Sequence, residues 1–397
     1  MAILYIDLET NIKNRGDDAI GSNQASPFHP DNEIVWTGWR YSTWKDREEV
    51  NCQPRNDIRF HTGDTPIDIL VAQNIAFDLL HLLKSVQGKH WREWCREGRI
   101  WDVMLAEYLL TGQELKWASL DELSLIYGGT LKDSRMKEYW NNGIDTEDIP
   151  SEEIVPYLEQ DVLNLQIIYE QQVELAKKMG MLPLIESQME ARLATIMMEY
   201  NGMFFDRAVA HEEKKKLKVV YDRIESELKE WMVEESKRQT GYVLTEEEVN
   251  PNSNKQLAAI LFGGDFKIKR SEVMLDEDGN EILYKSGAKK GQVKSKNVEH
   301  TVVFSGIYKA TKPASKTGVY PVGDEVLKKL SGEQIDNILL LREYAKQIGT
   351  YFDGYSSLVW EDGLIHGQLN HCQTNTGRLS SSQPNLQNIS NKASEGE

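Results

Sequence analysis

Residues 2–10 read Ala-Ile-Leu-Tyr-Ile-Asp-Leu-Glu-Thr, an apolar run that ends in two carboxylates. This short run predicts a buried β-strand. Two further stretches, 34–41 and 67–72, predict strands of the same kind. Helical spacing of apolar residues follows in three places, at 75–83, 103–110 and 154–178. Strands followed by helices predict an α/β domain that ends near residue 185.

Four carboxylates and a tyrosine stand out among these elements. Asp7 and Glu9 lie on the same face of the predicted strand, because side chains alternate along a strand. Asp78 falls within the first turn or so of a predicted helix, where its ordinary role is to compensate the helix dipole. Tyr157 and Asp161 are four residues apart on a helix and therefore share a face. Taken singly, each pattern is more typical of a solvated surface than of a site.

Taken together, the four carboxylates suit the cleavage of a phosphodiester by water. That reaction needs an activated water and stabilisation of the departing 3′ oxygen, and two divalent cations about 4 Å apart supply both. Because hard cations prefer carboxylate oxygens, four acidic side chains would hold two such ions near neutrality. Tyr157 would then orient the attacking water through a hydrogen bond.

The ordered motifs Asp-Leu-Glu-Thr, Asn-x-x-Phe-Asp and Tyr-x-x-x-Asp, at 7–10, 74–78 and 157–161, resemble those of proofreading 3′–5′ exonucleases of the DEDD superfamily, tyrosine subtype. The resemblance covers about residues 1–180 and implies a ribonuclease-H-like sheet that binds two Mg²⁺ or Mn²⁺ ions. It implies one metal on Asp7, Glu9 and Asp161 and the other on Asp7 and Asp78, with catalysis by these carboxylates and Tyr157. It also implies that Asn74 lies near the 3′ nucleotide and that Asp102 is a carboxylate outside the metal cluster.

Charge is distributed unevenly along the chain. The 397 residues include 63 Asp and Glu against 46 Lys and Arg, a net charge of −17 that taken whole argues against a nucleic-acid partner. Residues 1–200 hold 34 acidic and 19 basic residues, whereas residues 201–397 hold 29 and 27. Residues 284–316 contain eight lysines and one acid. Two interpretations stay open for this segment: a solvated, mobile insert, or a surface that follows DNA phosphates through Lys289, Lys290, Lys294 and Lys296.

Composition also bears on the compartment. No stretch approaches the roughly 20 apolar residues of a membrane span, so we expect no membrane partner. Cys52, Cys95 and Cys372 lie far apart, which disfavours a disulfide framework and favours a reducing compartment. The first residues resemble no signal peptide. We therefore expect a cytoplasmic protein, in the host cytoplasm if the sequence comes from a phage.

Two long apolar stripes mark the middle of the chain, in residues 207–239 and 335–352. Helices with these stripes either pack antiparallel as a protruding arm or belong to some other bundle. Between them, Asn252 and Ser253 predict the start of another helix, which Gly263 and Gly264 would end.

Residues 376–389 read Thr-Gly-Arg-Leu-Ser-Ser-Ser-Gln-Pro-Asn-Leu-Gln-Asn-Ile, a polar stretch that by itself predicts a loop. An arginine among Ser, Asn and Gln suits contacts with phosphates and minor-groove acceptors. This string resembles the T-G-R-L-S-S-x-x-P-N-L-Q-N-I-P signature of family A DNA polymerases, and 189–206, 252–262 and 324–330 resemble the family's segments leading into and through the thumb. The resemblance implies that Arg378, Gln387 and Asn388 touch the primer–template.

The expected architecture is α/β: a ribonuclease-H-like 3′–5′ exonuclease domain at 1–185, a mostly helical thumb at 186–355 with a lysine-rich insert at about 271–320, and an incomplete palm at 356–397. The family's later polymerase motifs do not occur in the sequence, so nucleotide addition is not expected from this chain alone. We expect an exonuclease acting on DNA 3′ ends. The alternative is a non-catalytic primer–template-binding subunit that a second chain, with palm and fingers, would complete.

Two smaller expectations concern partners and packing. A processivity factor could bind at the thumb insert, although the family's comparable insert lies at a different point. Because much of the palm is missing, we also expect residues from about 360 onward to expose apolar surface or to be weakly ordered. An RNA-trimming relative of the same exonuclease superfamily is disfavoured by residues 376–389.

Overall fold

The computed structural model describes residues 2–46, 48–54, 67–131, 135–310, 312 and 314–389. The chain divides into two compact units, Met1–Asp206 with Gly354–Glu397, and Arg207–Asp353. The expected boundary near 185 therefore falls inside the first unit, because the helix that follows it packs on the same core. In the described part of the chain, no helix combines the length and the apolar character that crossing a bilayer requires.

A five-stranded sheet forms the centre of the first unit. Its strands are β1 (Ile3–Thr10), β2 (Ile34–Tyr41), β3 (Asn51–Pro54), β4 (Ile69–Ala72) and β5 (Arg99–Asp102). They lie in the order β3-β2-β1-β4-β5. The β1–β4 and β4–β5 pairs are parallel, and the β1–β2 and β2–β3 pairs are antiparallel. The three strands expected from the sequence are confirmed as β1, β2 and β4.

Among the described residues of this unit, the α-helices are α1 (Ala76–Lys84), α2 (Gly88–Trp94), α3 (Val103–Leu110), α4 (Leu120–Tyr127), α5 (Arg135–Asn141), α6 (Ser151–Met179) and α7 (Leu182–Asn201). A short 3₁₀ turn, Thr146–Asp148, precedes α6. The helices predicted at 75–83, 103–110 and 154–178 are confirmed as α1, α3 and α6. Their apolar faces form one core with the buried side of the sheet.

Residues 354–389 belong to the first unit and bury several apolar side chains in it. β6 (Met203–Phe204) pairs with β9 (Leu364–Ile365), and β10 (Gln368–Asn370) pairs with β11 (Ser380–Ser382). Val359, Ile365 and Cys372 are only 2%, 1% and 1% exposed.

The expectation of exposed apolar surface is therefore wrong for most of this segment, although Ile389 remains exposed. The reason is a set of long-range contacts: the imidazole of His366 stacks on the ring of Phe28, with 3.6 Å between centroids. Arg192 and Glu199 of α7 bind the backbone of Leu369. The same expectation also covered residues 390–397, which lie outside the described residues.

The second unit combines helices with a long β-hairpin. Its helices are α8 (Arg207–Thr240), α9 (Asn254–Phe262), α10 (Asp324–Leu327) and α11 (Glu333–Lys346), which continues into a π-helical segment at Gln347–Gly354. α8 and α11 share a buried face, and an ion pair from Lys214 to Asp353 joins the start of one to the end of the other. This confirms two long helices in contact, running antiparallel. Ser253 caps α9 through the Gln256 N–H, as predicted.

A long hairpin projects from the second unit's core. β7 (Gly264–Val273) and β8 (Ser295–Phe304) pair antiparallel over their whole length. Phe266 and Phe304 stack at the base, inside the apolar core. Beyond Val273 most side chains are exposed, and a turn at 276–280 closes with a hydrogen bond from the Asp276 N–H to the Asn280 carbonyl.

Candidate metal centre and interface residues

Three carboxylates converge on one edge of the sheet. Asp7 and Glu9 project from the same face of β1, and Asp161 reaches them from α6. One oxygen from each lies within 4.8 Å of the other two. Asp161 is buried, whereas Asp7 and Glu9 are half-buried and remain accessible from solvent. Residues separated by some 150 positions in the sequence thus form one concentrated acidic group.

Close packing of α6 on the sheet makes this convergence possible. Gly38 lies opposite Asp7 in the β1–β2 pair. A Cβ atom at this position would lie 2.6 Å from Cγ of Leu158 and 3.1 Å from a methyl of Val162. Both residues flank Asp161 on α6 and are fully buried. The absence of a side chain at Gly38 therefore lets α6 approach closely enough to deliver Asp161.

Asp78 provides a fourth carboxylate beside β1. It lies in the first turn of α1 and is 2% exposed. Burial raises its pKa well above the usual range, and the negative charge of Asp7 raises this pKa further. The backbone N–H groups of Asp78 itself and of Leu8 act in the opposite direction by hydrogen bonding. Asp78 therefore faces the β1 backbone between Asp7 and Glu9, next to the group of three.

Tyr157 lies on α6 one turn before Asp161 and is half-buried. Its ring packs edge-on against Trp140, with 6.1 Å between centroids. This contact holds the ring on the side of α6 that also carries Asp161.

Asn74 and Asp102 meet next to this group. Asn74 has a positive φ of 51° in the turn before α1, and its N–H donates to the Asp102 carboxylate at 3.0 Å. Both residues line a cavity of about 160 Å³, together with Phe77, Arg192 and residues 366–372. The sequence indicated Asn74 and Asp102 but not Arg192, whose only signal is its place in the Met-Glu-Ala-Arg stretch beginning at 189.

The predicted DNA contacts fall in both units. In the first unit, Arg378, Gln387 and Asn388 are exposed on the loop that follows β10 and on the short turn after β11. In the second unit, Lys296 lies in β8, and the other three predicted lysines lie in the segment that connects β7 to β8. Lys289, Lys290 and Lys296 are exposed, Lys294 is half-buried, and the ammonium groups of Lys289 and Lys294 lie 6.0 and 5.4 Å from the ring centroid of Tyr284.

The donor set fits hard divalent cations. Asp7, Glu9, Asp161 and Asp78 offer only carboxylate oxygens, the ligands that Mg²⁺ and Mn²⁺ prefer. Within 4.8 Å, three such groups repel each other strongly unless a positive charge lies between them. Both features suit a site for cations rather than an ordinary acidic surface.

Comparison with known proteins points to one family. Residues 270–397 match the family model described as DNA polymerase family A. DNA polymerase I of Bacillus subtilis (strain 168) is 27% identical over 340 residues, which cover 79% of this chain and 32% of that protein. DNA polymerase I of Geobacillus stearothermophilus is 32% identical over 154 residues, 35% of this chain and 18% of that protein. The chain thus spans less than a third of the length of these relatives.

Solved structures give a likeness of fold. The POL domain of Pol1 from M. smegmatis, in complex with DNA primer-template and dNTP, aligns with 98% of this chain and 52% of that chain. The TM-score is 0.54 at 16% sequence identity. The fold is therefore that of a polymerase-related protein of mixed α/β class. More particularly, the matches confirm the resemblance to family A DNA polymerases, since the matched segment contains residues 376–389.

Proposed function

We propose that this chain supplies the 3′–5′ exonuclease and the primer–template-binding part of a family A DNA polymerase. The convergence of Asp7, Glu9 and Asp161 oxygens within 4.8 Å is the observation that carries the exonuclease. The sheet order β3-β2-β1-β4-β5, with an antiparallel and a parallel half, supports the ribonuclease-H-like arrangement.

The reaction is hydrolysis of the last phosphodiester of a DNA strand. Two bound Mg²⁺ or Mn²⁺ ions would supply a water activated at neutral pH and charge stabilisation for the departing 3′ oxygen. Asp7, Glu9 and Asp161 would hold one ion, and Asp7 with Asp78 the other. Tyr157 would orient the attacking water by a hydrogen bond. The water oxygen bonds to phosphorus, the bond to the 3′ oxygen breaks, and that oxygen takes up a proton.

A digestion assay with matched variants tests this proposal. The full chain is incubated with a 5′-labelled single-stranded oligonucleotide and Mg²⁺ or Mn²⁺. We expect stepwise shortening by the wild type and a loss of about 100-fold or more in the Asp7→Ala/Glu9→Ala variant. Glu174→Ala is the control, because this carboxylate lies on the same helix as Asp161 but is 74% exposed and ion-paired with Lys177. Undiminished digestion by the double variant contradicts the proposal.

The exposure of Arg378, Gln387 and Asn388 favours a second candidate, a DNA-positioning subunit without chemistry of its own. In this case the chain binds primer–template duplex in EDTA and extends a primer only with a second chain that carries palm and fingers. Anisotropy of a labelled duplex measures the first property, and Arg378→Ala is expected to weaken binding. Primer extension with the product of the adjacent reading frame measures the second. Digestion by the wild type without that partner rules out the purely non-catalytic role.

A further inference from the structure

We propose that Asp102 is a positioning residue for Asp78: its carboxylate fixes the turn that delivers Asp78 to the metal centre. This inference rests on the proposed function, since positioning matters only if the carboxylates bind divalent cations. Asp102 itself takes no part in the chemistry proposed above.

The Asp102 carboxylate accepts three backbone hydrogen bonds. One oxygen, Oδ1, accepts from the N–H groups of Asn74 and Met104, both at 3.0 Å. The other oxygen, Oδ2, accepts from the N–H of Ile75 at 3.3 Å. Asn74 and Ile75 immediately precede α1, and Met104 lies in the first turn of α3. One side chain therefore ties together the starts of two helices.

The topology explains why the α1 turn needs this support. β4 ends at Ala72, which pairs with Asp102 in the parallel β4–β5 ladder. The chain must then turn sharply at the end of β4 to enter α1. Asn74 makes this turn with φ of 51°, a left-handed conformation that is unfavourable for most residues other than glycine. A charged acceptor for its N–H offsets that cost.

Arg192 stabilises the charge of this carboxylate. Asp102 is fully buried, and burial raises its pKa while the nearby Arg192 lowers it. The Nε atom of Arg192 lies 4.0 Å from Oδ2, and its Nη1 donates to the Leu369 carbonyl at 3.0 Å. The guanidinium is thus held between Asp102 and the β10 backbone, where it favours the anionic acceptor.

Asp78 lies in the first turn of α1, directly after the backbone turn at Asn74 and Ile75. Its carboxylate meets the Leu8 N–H and the charge of Asp7 only if α1 begins where it does. Loss of the Asp102 carboxylate frees the N–H groups of Asn74 and Ile75 and lets the start of α1 shift. The shift would move Asp78 away from Asp7, whereas Glu9 and Asp161, on β1 and α6, would stay in place.

Manganese binding without DNA tests the proposal directly. Titration calorimetry of the full chain with Mn²⁺ is compared for the wild type, Asp102→Ala and Asp102→Asn. We expect the Ala variant to bind Mn²⁺ roughly 10-fold more weakly. The Asn variant keeps one acceptor oxygen, so we expect a loss of roughly 3-fold, and it carries the test if the Ala variant does not fold. Ser253→Ala is the control, because Ser253 caps α9 in the second unit. Unchanged affinity in both Asp102 variants overturns the proposal.

A double-mutant cycle with Asp78→Ala separates positioning from general damage. If Asp102 acts through Asp78, then Asp102→Ala causes no further loss of Mn²⁺ affinity when Asp78 is already absent. A full additional 10-fold loss in that background overturns the proposal. A wild-type chain that neither binds Mn²⁺ nor digests DNA refutes the proposed function itself. A wild type that does both, with unaffected Asp102 variants, refutes only the positioning role.

Discussion

The cluster of four carboxylates in the first unit and the lysine-bearing β7–β8 hairpin in the second unit are built in opposite ways. Asp161 and Asp78 are buried and held by packed helices, whereas the hairpin lysines lie beyond the last core residues of β7 and β8. Holding metal ions demands oxygens fixed within fractions of an ångström, and such precision requires rigid elements. Following a phosphate backbone requires only positive charge within reach, which flexible exposed side chains provide. We therefore expect substitutions to have much larger effects in the first region.

The largest expected effect comes from Asp161→Asn. This change keeps the shape of the side chain and removes one charge from the three-carboxylate group, so we expect digestion of single-stranded DNA to fall by about 100-fold or more. Neutralising Lys289 and Lys290 should leave the same activity within about 3-fold. Glu174→Gln on α6 serves as the matched control. An Asp161→Asn chain that digests at the wild-type rate would mean that this carboxylate holds no ion.

The two units also differ in how their stability is expected to respond to low pH. Burial lowers the pKa of His81 to about 4, although its hydrogen bond to the Ala25 carbonyl acts in the opposite direction. The unfolded chain takes up this proton near pH 6.5, so stability is complete above that pH and falls as the pH drops towards 4, by roughly 3 kcal/mol in total. In the second unit, hydrogen bonds from Arg270 lower the pKa of Glu248 to about 2. The contribution of Glu248 to the stability of the second unit is therefore retained down to about pH 4 and is lost only at lower pH.

The histidine contribution leads us to expect the first unit to begin losing protection from hydrogen exchange at a higher pH than the second, while the raised pKa values of Asp78 and Asp102 act in the opposite direction. Hydrogen exchange followed peptide by peptide, and corrected for the intrinsic rate at each pH, measures this order. Burial also lowers the pKa of His371 in this unit to about 4. His81→Gln removes one of these two titrating groups and should reduce the decline in stability between pH 6.5 and 4. If both units lose protection from hydrogen exchange at the same pH, and His81→Gln does not change that pH, then His81 does not govern acid stability.

Gly38→Ala tests whether α6 must lie so close to the sheet. The added Cβ would lie 2.6 Å from Cγ of Leu158, so α6 must shift, at a cost of about 1–3 kcal/mol. Because α6 carries Asp161, we also expect weaker Mn²⁺ binding. Urea unfolding and Mn²⁺ titration measure the two effects. Gly349→Ala is the control, since a Cβ there meets nothing within 4 Å. Equal behaviour of the two variants would remove close packing as the reason for the convergence.

Much of the first unit follows from local patterns. The apolar run ending at Asp7 and the helical spacing around Asp161 predict β1 and α6, because these periods reflect burial on one face. The order of the carboxylate motifs then predicts which residues converge. The role of Gly38 could not be predicted in this way, since it depends on which helix packs opposite.

Long-range contacts account for what the sequence left open. The burial of residues 359–372 depends on Phe28 stacking on His366 and on Arg192 bonding to Leu369. Gln383 likewise pairs with Ser22, its side-chain amide donating to the hydroxyl at 2.7 Å. Each of these pairs joins residues more than 170 positions apart, and no local periodicity records such a pairing. The same reason hides the link from Arg192 to Asp102.

The smallest expected effect on the fold comes from replacing the hairpin lysines. The effect of the same replacement on DNA binding decides between the two interpretations of the insert. Replacing Lys289, Lys290, Lys294 and Lys296 by Gln should change the free energy of unfolding by no more than about 0.5 kcal/mol, since the side chains are largely exposed. If they follow phosphates, duplex affinity falls and the slope of log affinity on log salt flattens by about 1 for each lysine in contact.

The control replaces four lysines of α8 that already pair with carboxylates, namely Lys214, Lys215, Lys216 and Lys218. These ion pairs leave little charge for DNA, so we expect this variant to keep the wild-type slope. Flattening in the hairpin variant alone assigns the hairpin to DNA. An unchanged slope in both variants instead leaves the hairpin as a solvated insert or as a surface for an accessory protein, because its exposed lysines would then contact no phosphate.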